Sequence, residues 1–264
     1  AAYQGVEGAW SHIALRQLFP FAKAQAYSTW NEVVEAVERG DAYCGVLPFE
    51  NSNAGDVSAV LDLLYAHPGL KVARMCDLPI RQDLLALPGA QLSEIKTVIS
   101  HQQALAQSGP FLKLHHFATK AWGNTADAAR YVAEQGDQTL AAIASAETAK
   151  LYGLQILAEG VNEDGDNTTR FIVLSREKPT AGNRFSLLFT VDNKPGKLAE
   201  VIQVIGASGF NMESIKSRPL PHVPFDYYFY VELVGDPTAD ETAALLRELN
   251  HVCRTVRLLG VYTK

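Results

Sequence analysis

The chain has few cysteines: three in 264 residues, at positions 44, 76 and 253. None has a partner at Cys-x-x-Cys spacing, which excludes a zinc ribbon and a disulfide scaffold and reads as buried thiols in a reducing cytosol. No run approaches the ~18 apolar residues of a membrane-spanning helix, so no membrane partner is expected. Basic residues are in deficit, 23 Lys and Arg against 29 Asp and Glu, for a net charge of -6. No basic face gathers, and nucleic acid is excluded as the expected partner. Neither Gly-x-Gly-x-x-Gly nor Gly-Lys-Ser/Thr occurs, so the turn at Gly5 and Gly8 is not a nucleotide phosphate loop. The start, Ala1-Ala2-Tyr3-Gln4, has no charged or apolar segment of the signal-peptide kind, and it lacks a Met, as a trimmed chain would.

What is present suits a globular core: 47% of residues are apolar and 20% charged, and the length predicts two or three units. Ser11 is placed to cap a helix striped by Leu15, Leu18 and Phe19 and stopped by Pro20. Trp30, Val33, Val34 and Val37 stripe a second helix, and residues 43–47 read as a strand. A polar loop over 48–56 then leads to a helix striped by Val57, Val60, Leu61 and Leu64. A second lobe begins near Pro79, with strands over 95–100, 115–119 and 140–144 and helix starts at His101, Asn124-Thr125 and Ser145. This alternation predicts a mostly parallel sheet. Helix starts at strand ends offer unpaired N–H groups and a positive dipole end. Ser11, His101, Thr125 and Ser145 together could hold a ligand with more than one carboxylate, although each alone is an ordinary cap.

The chain returns to the first lobe through 169–174. Asn167-Thr168-Thr169-Arg170-Phe171 follows the acid- and Gly-rich Glu163-Asp164-Gly165-Asp166, and residues 171–174 run apolar like a buried strand. Two hydroxyls, an amide and a guanidinium therefore sit where a loop enters a strand, placed to hold a small anion against a proton donor. Asn-Thr-Thr is also ordinary turn chemistry. Residues 176–183 read as a linker. Beyond it come a strand over 184–191, a helix striped by Leu198, Val201, Ile202 and Ile205, strands over 211–219 and 227–234, a helix over 238–250 and a strand over 252–259. The order βαββαβ is that of a ferredoxin-like sandwich, whose edge strands make pairing with a second copy expected.

Six stretches now stand in order: GVEGAWS (5–11), PFENSNAGDV (48–57), SHQQALAQ (100–107), NTADAA (124–129), AAIAS (141–145) and NTTRF (167–171). Together they resemble the prephenate dehydratase family, of the kind with a C-terminal ACT regulatory domain. The resemblance implies a catalytic domain over 1–178, built as two α/β lobes of the type II periplasmic-binding-protein kind with the active site in their cleft. Lobe 1 would take about 1–78 with 158–178, lobe 2 about 79–157, and the ACT domain 184–264. The implied reaction is decarboxylative dehydration of prephenate to phenylpyruvate, a step toward phenylalanine, with no metal, redox cofactor or covalent nucleophile. Loss of CO2 supplies electrons, hydroxide leaves, and the ring becomes aromatic. The protein must hold two anionic groups and assist departure of the hydroxyl.

By the same resemblance Thr169 is the catalytic proton donor, Arg170 orients the loop or pairs with a carboxylate, and Phe171 closes the motif as a binding residue and core anchor. Ser11, Asn51, Ser52, Ser100, Gln103, Asn124, Thr125 and Ser145 are the expected substrate-binding set. Glu50 is expected to be structural, and His101, an imidazole and so of the side-chain type most used for proton transfer, is the rival acid. Gln102 replaces the family's Pro, while Gln103 is retained. The alternatives are the same chemistry on arogenate, or a non-catalytic amino- or keto-acid-binding protein. The ACT domain implies a phenylalanine effector and a cytoplasmic homodimer or homotetramer formed through these domains. Gly196, Leu198, Asn211, Met212, Ser217 and Arg218 are the expected effector-binding residues. Lys216 stands where the family pattern Glu-Ser-Arg-Pro has Glu, which reverses a charge.

Overall fold

Strand and helix alternate along the computed structural model, which describes residues 1–162, 165–177, 181–236 and 238–264. Glu163 and Asp164 of the acid-rich loop, and Lys178, Pro179 and Thr180 of the expected linker, lie outside the described residues. In chain order the first elements are β1 (Ala2–Gln4), α1 (Trp10–Leu18), β2 (Gln25–Tyr27), α2 (Trp30–Arg39), β3 (Cys44–Asn51), β4 (Gly55–Asp56), α3 (Ser58–Ala66) and β5 (Lys71–Pro79). Next come β6 (Asp83–Ala86), β7 (Thr97–His101), α4 (Gln102–Gln107), α5 (Gly109–Leu114), β8 (Ala118–Trp122), α6 (Thr125–Gln135), β9 (Leu140–Ala144), α7 (Ala146–Tyr152) and β10 (Gln155–Ala158). The last are β11 (Thr168–Ser175), β12 (Arg184–Thr190), α8 (Lys197–Ala207), β13 (Asn211–Pro219), β14 (Tyr227–Val234), α9 (Ala239–Val252) and β15 (Thr255–Tyr262).

The chain divides into two compact units. The first comprises residues 1–30, 50–55 and 77–170. Its sheet has the order β10-β6-β9-β7-β8. β9 is apolar at every position because both faces of that sheet are covered. Ala141 and Ile143 pack with Val98, Leu105 and Leu112 on one side, Ala142 and Ala144 with Ala128, Val132 and Ala149 on the other. The sheet, expected to be mostly parallel, carries one reversed strand: β7 is parallel to β8 and β9, and β6 is antiparallel to β9 and β10. β6 alone runs against the other four strands of this sheet, and its four residues are too few to carry a period.

Local departures have local causes. Ser11 is not the cap of α1 but lies within it; Ala9 is the N-cap, after a Gly8 whose φ of +87° turns the chain. β3 continues through Pro48 to Asn51, where a loop was expected. β8 starts three residues later than expected, because α5 holds to Leu114 and His116 takes a left-handed φ of 56°.

The second unit comprises residues 31–49, 56–76 and 171–264, with β3, β11 and β5 side by side. Phe171 is buried here, at the start of an apolar run that is buried throughout. The antiparallel sheet β13-β14-β12-β15 packs one face on α8 and α9 through Phe185, Leu187, Val231, Val201 and Leu245. Ile202, expected on that stripe, is 43% exposed. α9 runs to Val252, so β15 begins three residues late. The sheet's other face is buried too. Tyr230 meets the Phe49 ring edge-on at 5.2 Å between centroids, and Tyr228 stacks on Tyr65 at 4.4 Å. Asp62 on α3 is held below the usual carboxylate range by the Arg218 guanidinium and then by the Tyr228 hydroxyl. Its contribution to stability is therefore present above about pH 4 and fades as the pH falls below that.

Cys44 is buried, and Cys76 and Cys253 are half-buried. Among the described residues no helix is long and apolar enough to cross a membrane.

Candidate active site

The end of β3 and the start of β11 meet in the first unit around one amide. Asn51 Nδ2 donates to Asn167 Oδ1 at 2.7 Å, to Thr169 Oγ1 at 2.9 Å and to the Thr168 carbonyl at 3.3 Å. Its Oδ1 accepts the backbone N–H groups of Asn53 at 3.1 Å and Ala54 at 2.9 Å. Those two N–H groups can face only an acceptor, so they fix which way the amide points. The consequence falls on Thr169. With its oxygen receiving an N–H from Asn51, the hydroxyl proton is left to donate elsewhere, and the side chain is only half-buried.

Around this centre the motif is cross-braced. Ser52 N–H donates to the Thr168 carbonyl at 2.9 Å, and Thr168 N–H donates to Ser52 Oγ at 3.0 Å. Ser52 Oγ donates in turn to Asn53 Oδ1 and to the Asp166 carbonyl. Asn167, 2% exposed, donates to Gln107 Oε1 at 3.2 Å, which ties the loop to α4. Arg170 lies side-on to Asp77, Nε to Oδ1 at 2.9 Å and Nη2 to Oδ2 at 3.4 Å, and Nη1 donates to Glu50 Oε2 at 3.3 Å. Of its two expected roles, orienting the loop fits this geometry, since two protein carboxylates already engage the guanidinium. Glu50, expected to be structural, accepts from Arg170.

The remaining residues fall into two groups. Ser100 is fully buried and donates its hydroxyl to the Ile143 carbonyl at 2.6 Å, tying β7 to β9. Ser145, 2% exposed, caps α7 by accepting from Thr148 N–H, and the Thr148 hydroxyl reaches the Gly8 carbonyl at 3.1 Å. Ser11 and Thr125 are buried as well. The Ser100 and Ser145 hydroxyls, expected to meet substrate, have strand and cap partners. Replacing Ser100 by Ala is expected to lower stability by about 1 kcal/mol while leaving KM unchanged. Denaturant unfolding and steady-state kinetics on the same preparation check both halves. Gln103 and Ser52 are exposed and Asn124 half-buried, with Asn124 Oδ1 capping α6 through Asp127 N–H at 2.7 Å. His101 is exposed and caps α4, its Nδ1 accepting Gln103 N–H at 3.3 Å.

In the second unit the expected effector residues separate. Leu198 and Met212 pack against the helix-side core, while Asn211 and Ser217 are exposed. Gly196 is the N-cap of α8 with a φ of +85°. Arg218 turns the other way and pairs with Asp62, at 3.0 and 2.7 Å. Asp77 carries no sequence signal of its own and emerges only as the partner of Arg170.

An α/β region followed in the chain by a βαββαβ module defines a protein of the ACT-bearing class. Residues 1–179 match the family model described as prephenate dehydratase, and residues 185–251 match that of the ACT domain. The chain belongs to the prephenate dehydratase family, which are lyases. It is similar to arogenate dehydratase/prephenate dehydratase 2, chloroplastic, of Arabidopsis thaliana, 37% identical over 99% of this chain and 72% of that one. It resembles the crystal structure of a prephenate dehydratase from Arthrobacter aurescens in complex with L-Phe, with TM-score 0.88 and 29% identity over 100% of this chain and 90% of that one. A structure described as GqqA, a novel type of quorum quenching acylases, has TM-score 0.90 and 33% identity over 99% of this chain and 96% of that one.

Proposed function

We propose that this chain converts prephenate to phenylpyruvate, CO2 and water, with Thr169 as the hydrogen-bond donor to the departing hydroxyl. The observation that carries the reading is the Asn51 amide, held by two backbone N–H groups and donating to Thr169 Oγ1. A Thr hydroxyl is a weak acid, so its part is a positioned hydrogen bond that strengthens as charge builds on the leaving oxygen. No early proton transfer is needed, because loss of CO2 pushes electrons toward a ring that gains aromaticity. Gln103, Asn124 and Ser52 form the substrate-facing set, and the helix starts beside them favour bound carboxylates.

Arogenate is a second reading, favoured by the Arabidopsis relative that carries both activities in its name. Residues 184–264 are proposed to sense phenylalanine and to join copies into a homodimer or homotetramer. The Arthrobacter complex supports the effector. The proposed division is a catalytic domain over 1–178, with its two lobes, and the ACT domain over 184–264. A cytoplasmic setting suits three free thiols. The test is phenylpyruvate absorbance with pure protein and prephenate, beside phenylalanine formation from arogenate, each with and without phenylalanine. Turnover of prephenate inhibited by phenylalanine is expected. Turnover of arogenate alone moves the assignment to the second reading, and turnover of neither defeats both. The 33% identity to a protein described as an acylase places an acylase assay in the same panel.

A further inference from the structure

Lys216 is only 8% exposed. Its ammonium pairs with Asp56 and lies 5.6 Å from the ring centroid of Phe49. A charge that deep is costly to leave unpaired, so the lysine is held to this spot. Asp56 and Phe49 are the two legs of one hairpin. β3 runs out through Phe49 to Asn51, β4 returns at Gly55–Asp56, and Val57 N–H donates to the Phe49 carbonyl at 3.0 Å. Along the tip, Asn53 and Ala54 hold the Asn51 amide whose orientation sets the Thr169 proton. The helix that follows is gripped as well. Arg218 and the Tyr228 hydroxyl engage Asp62, and Arg257 donates to the Leu64 carbonyl.

We propose that Lys216 is a positioning residue for the dehydration: by clamping both legs of the 49–57 hairpin, it lets the ACT domain set the alignment of Asn51 and, through Asn51, of Thr169. The glutamate of the family pattern would repel Asp56 here, so Lys216 and Asp56 form a matched pair. The inference rests on the reading of Thr169 as donor in the proposed function.

The test uses the full chain with Lys216→Glu, Asp56→Lys, the two combined, and Lys216→Met. Four quantities are read: kcat, KM, the unfolding midpoint, and hydrogen exchange in residues 50–57. Lys216→Glu is expected to lower kcat about 10-fold or more with KM within about 3-fold. Exchange in the hairpin should become about 10-fold faster, and the charge-swapped double variant should recover both quantities. A lowered midpoint with kcat and exchange unchanged would overturn the proposal, leaving Lys216 as a purely structural contact. Should Lys216→Glu fail to fold, Lys216→Met supports the same comparison. If the wild type turns over neither prephenate nor arogenate, the proposed function falls, while the exchange data still decide whether Lys216 aligns the hairpin.

Discussion

Thr169→Ala is expected to lower kcat by about 100-fold or more with little change in KM, and Thr169→Ser to keep most of the rate. One donor aimed at charge that develops only as the bond breaks is worth about 3–4 kcal/mol. A loss confined to the transition state appears in kcat and leaves ground-state binding alone. The rate should fall without unfolding the protein, because Thr169 is half-buried and Asn51 keeps its bonds to Asn167 and to the Thr168 carbonyl. His101→Ala supplies the contrast. His101 is exposed and accepts the Gln103 N–H, so its removal should cost a helix start and little rate. Steady-state kinetics on the three variants decide it. An active Thr169→Ala beside a dead His101→Ala would give the acid to His101.

Much of the frame was legible in the order of residues. The apolar stripes of α2 and α3 returned as buried residues 33, 34, 37, 60, 61 and 64. The βαββαβ order returned as one antiparallel sheet with both helices on one face. Short elements were not legible, because strands such as β1, β2, β6 and β10 have three or four residues and hold their place by pairing rather than by pattern. The candidate site was legible only as a list of residue types. A serine at a strand end reads alike whether its hydroxyl faces a ligand or, like that of Ser100, a neighbouring strand. Nor does sequence pair groups that lie 118 residues apart, as Asn51 and Thr169 do, or 93 apart, as Asp77 and Arg170 do. The Asn51 contact turned a plausible hydroxyl into one with a defined direction.

That direction can be reversed with a single atom. Asn51→Asp keeps the oxygen that accepts from Asn53 and Ala54, so the turn should close, while a carboxylate buried against two carbonyl oxygens should lower the unfolding midpoint. The replaced NH2 becomes an acceptor, set against Asn167 Oδ1, the Thr168 carbonyl and Thr169 Oγ1. Thr169 then relieves the conflict by turning its proton inward toward the new carboxylate, and the outward donor disappears although the hydroxyl is still present. We expect kcat to fall about 100-fold, as for Thr169→Ala. Two backbone N–H donors favour the ionised aspartate, so mild acid should not restore the rate. If the two changes act on one proton, Asn51→Asp in a Thr169→Ala background should cost no more than about a further 3-fold, whereas independent roles would multiply. Near-wild-type turnover by Asn51→Asp would mean that the amide closes the turn and leaves the Thr169 proton undirected.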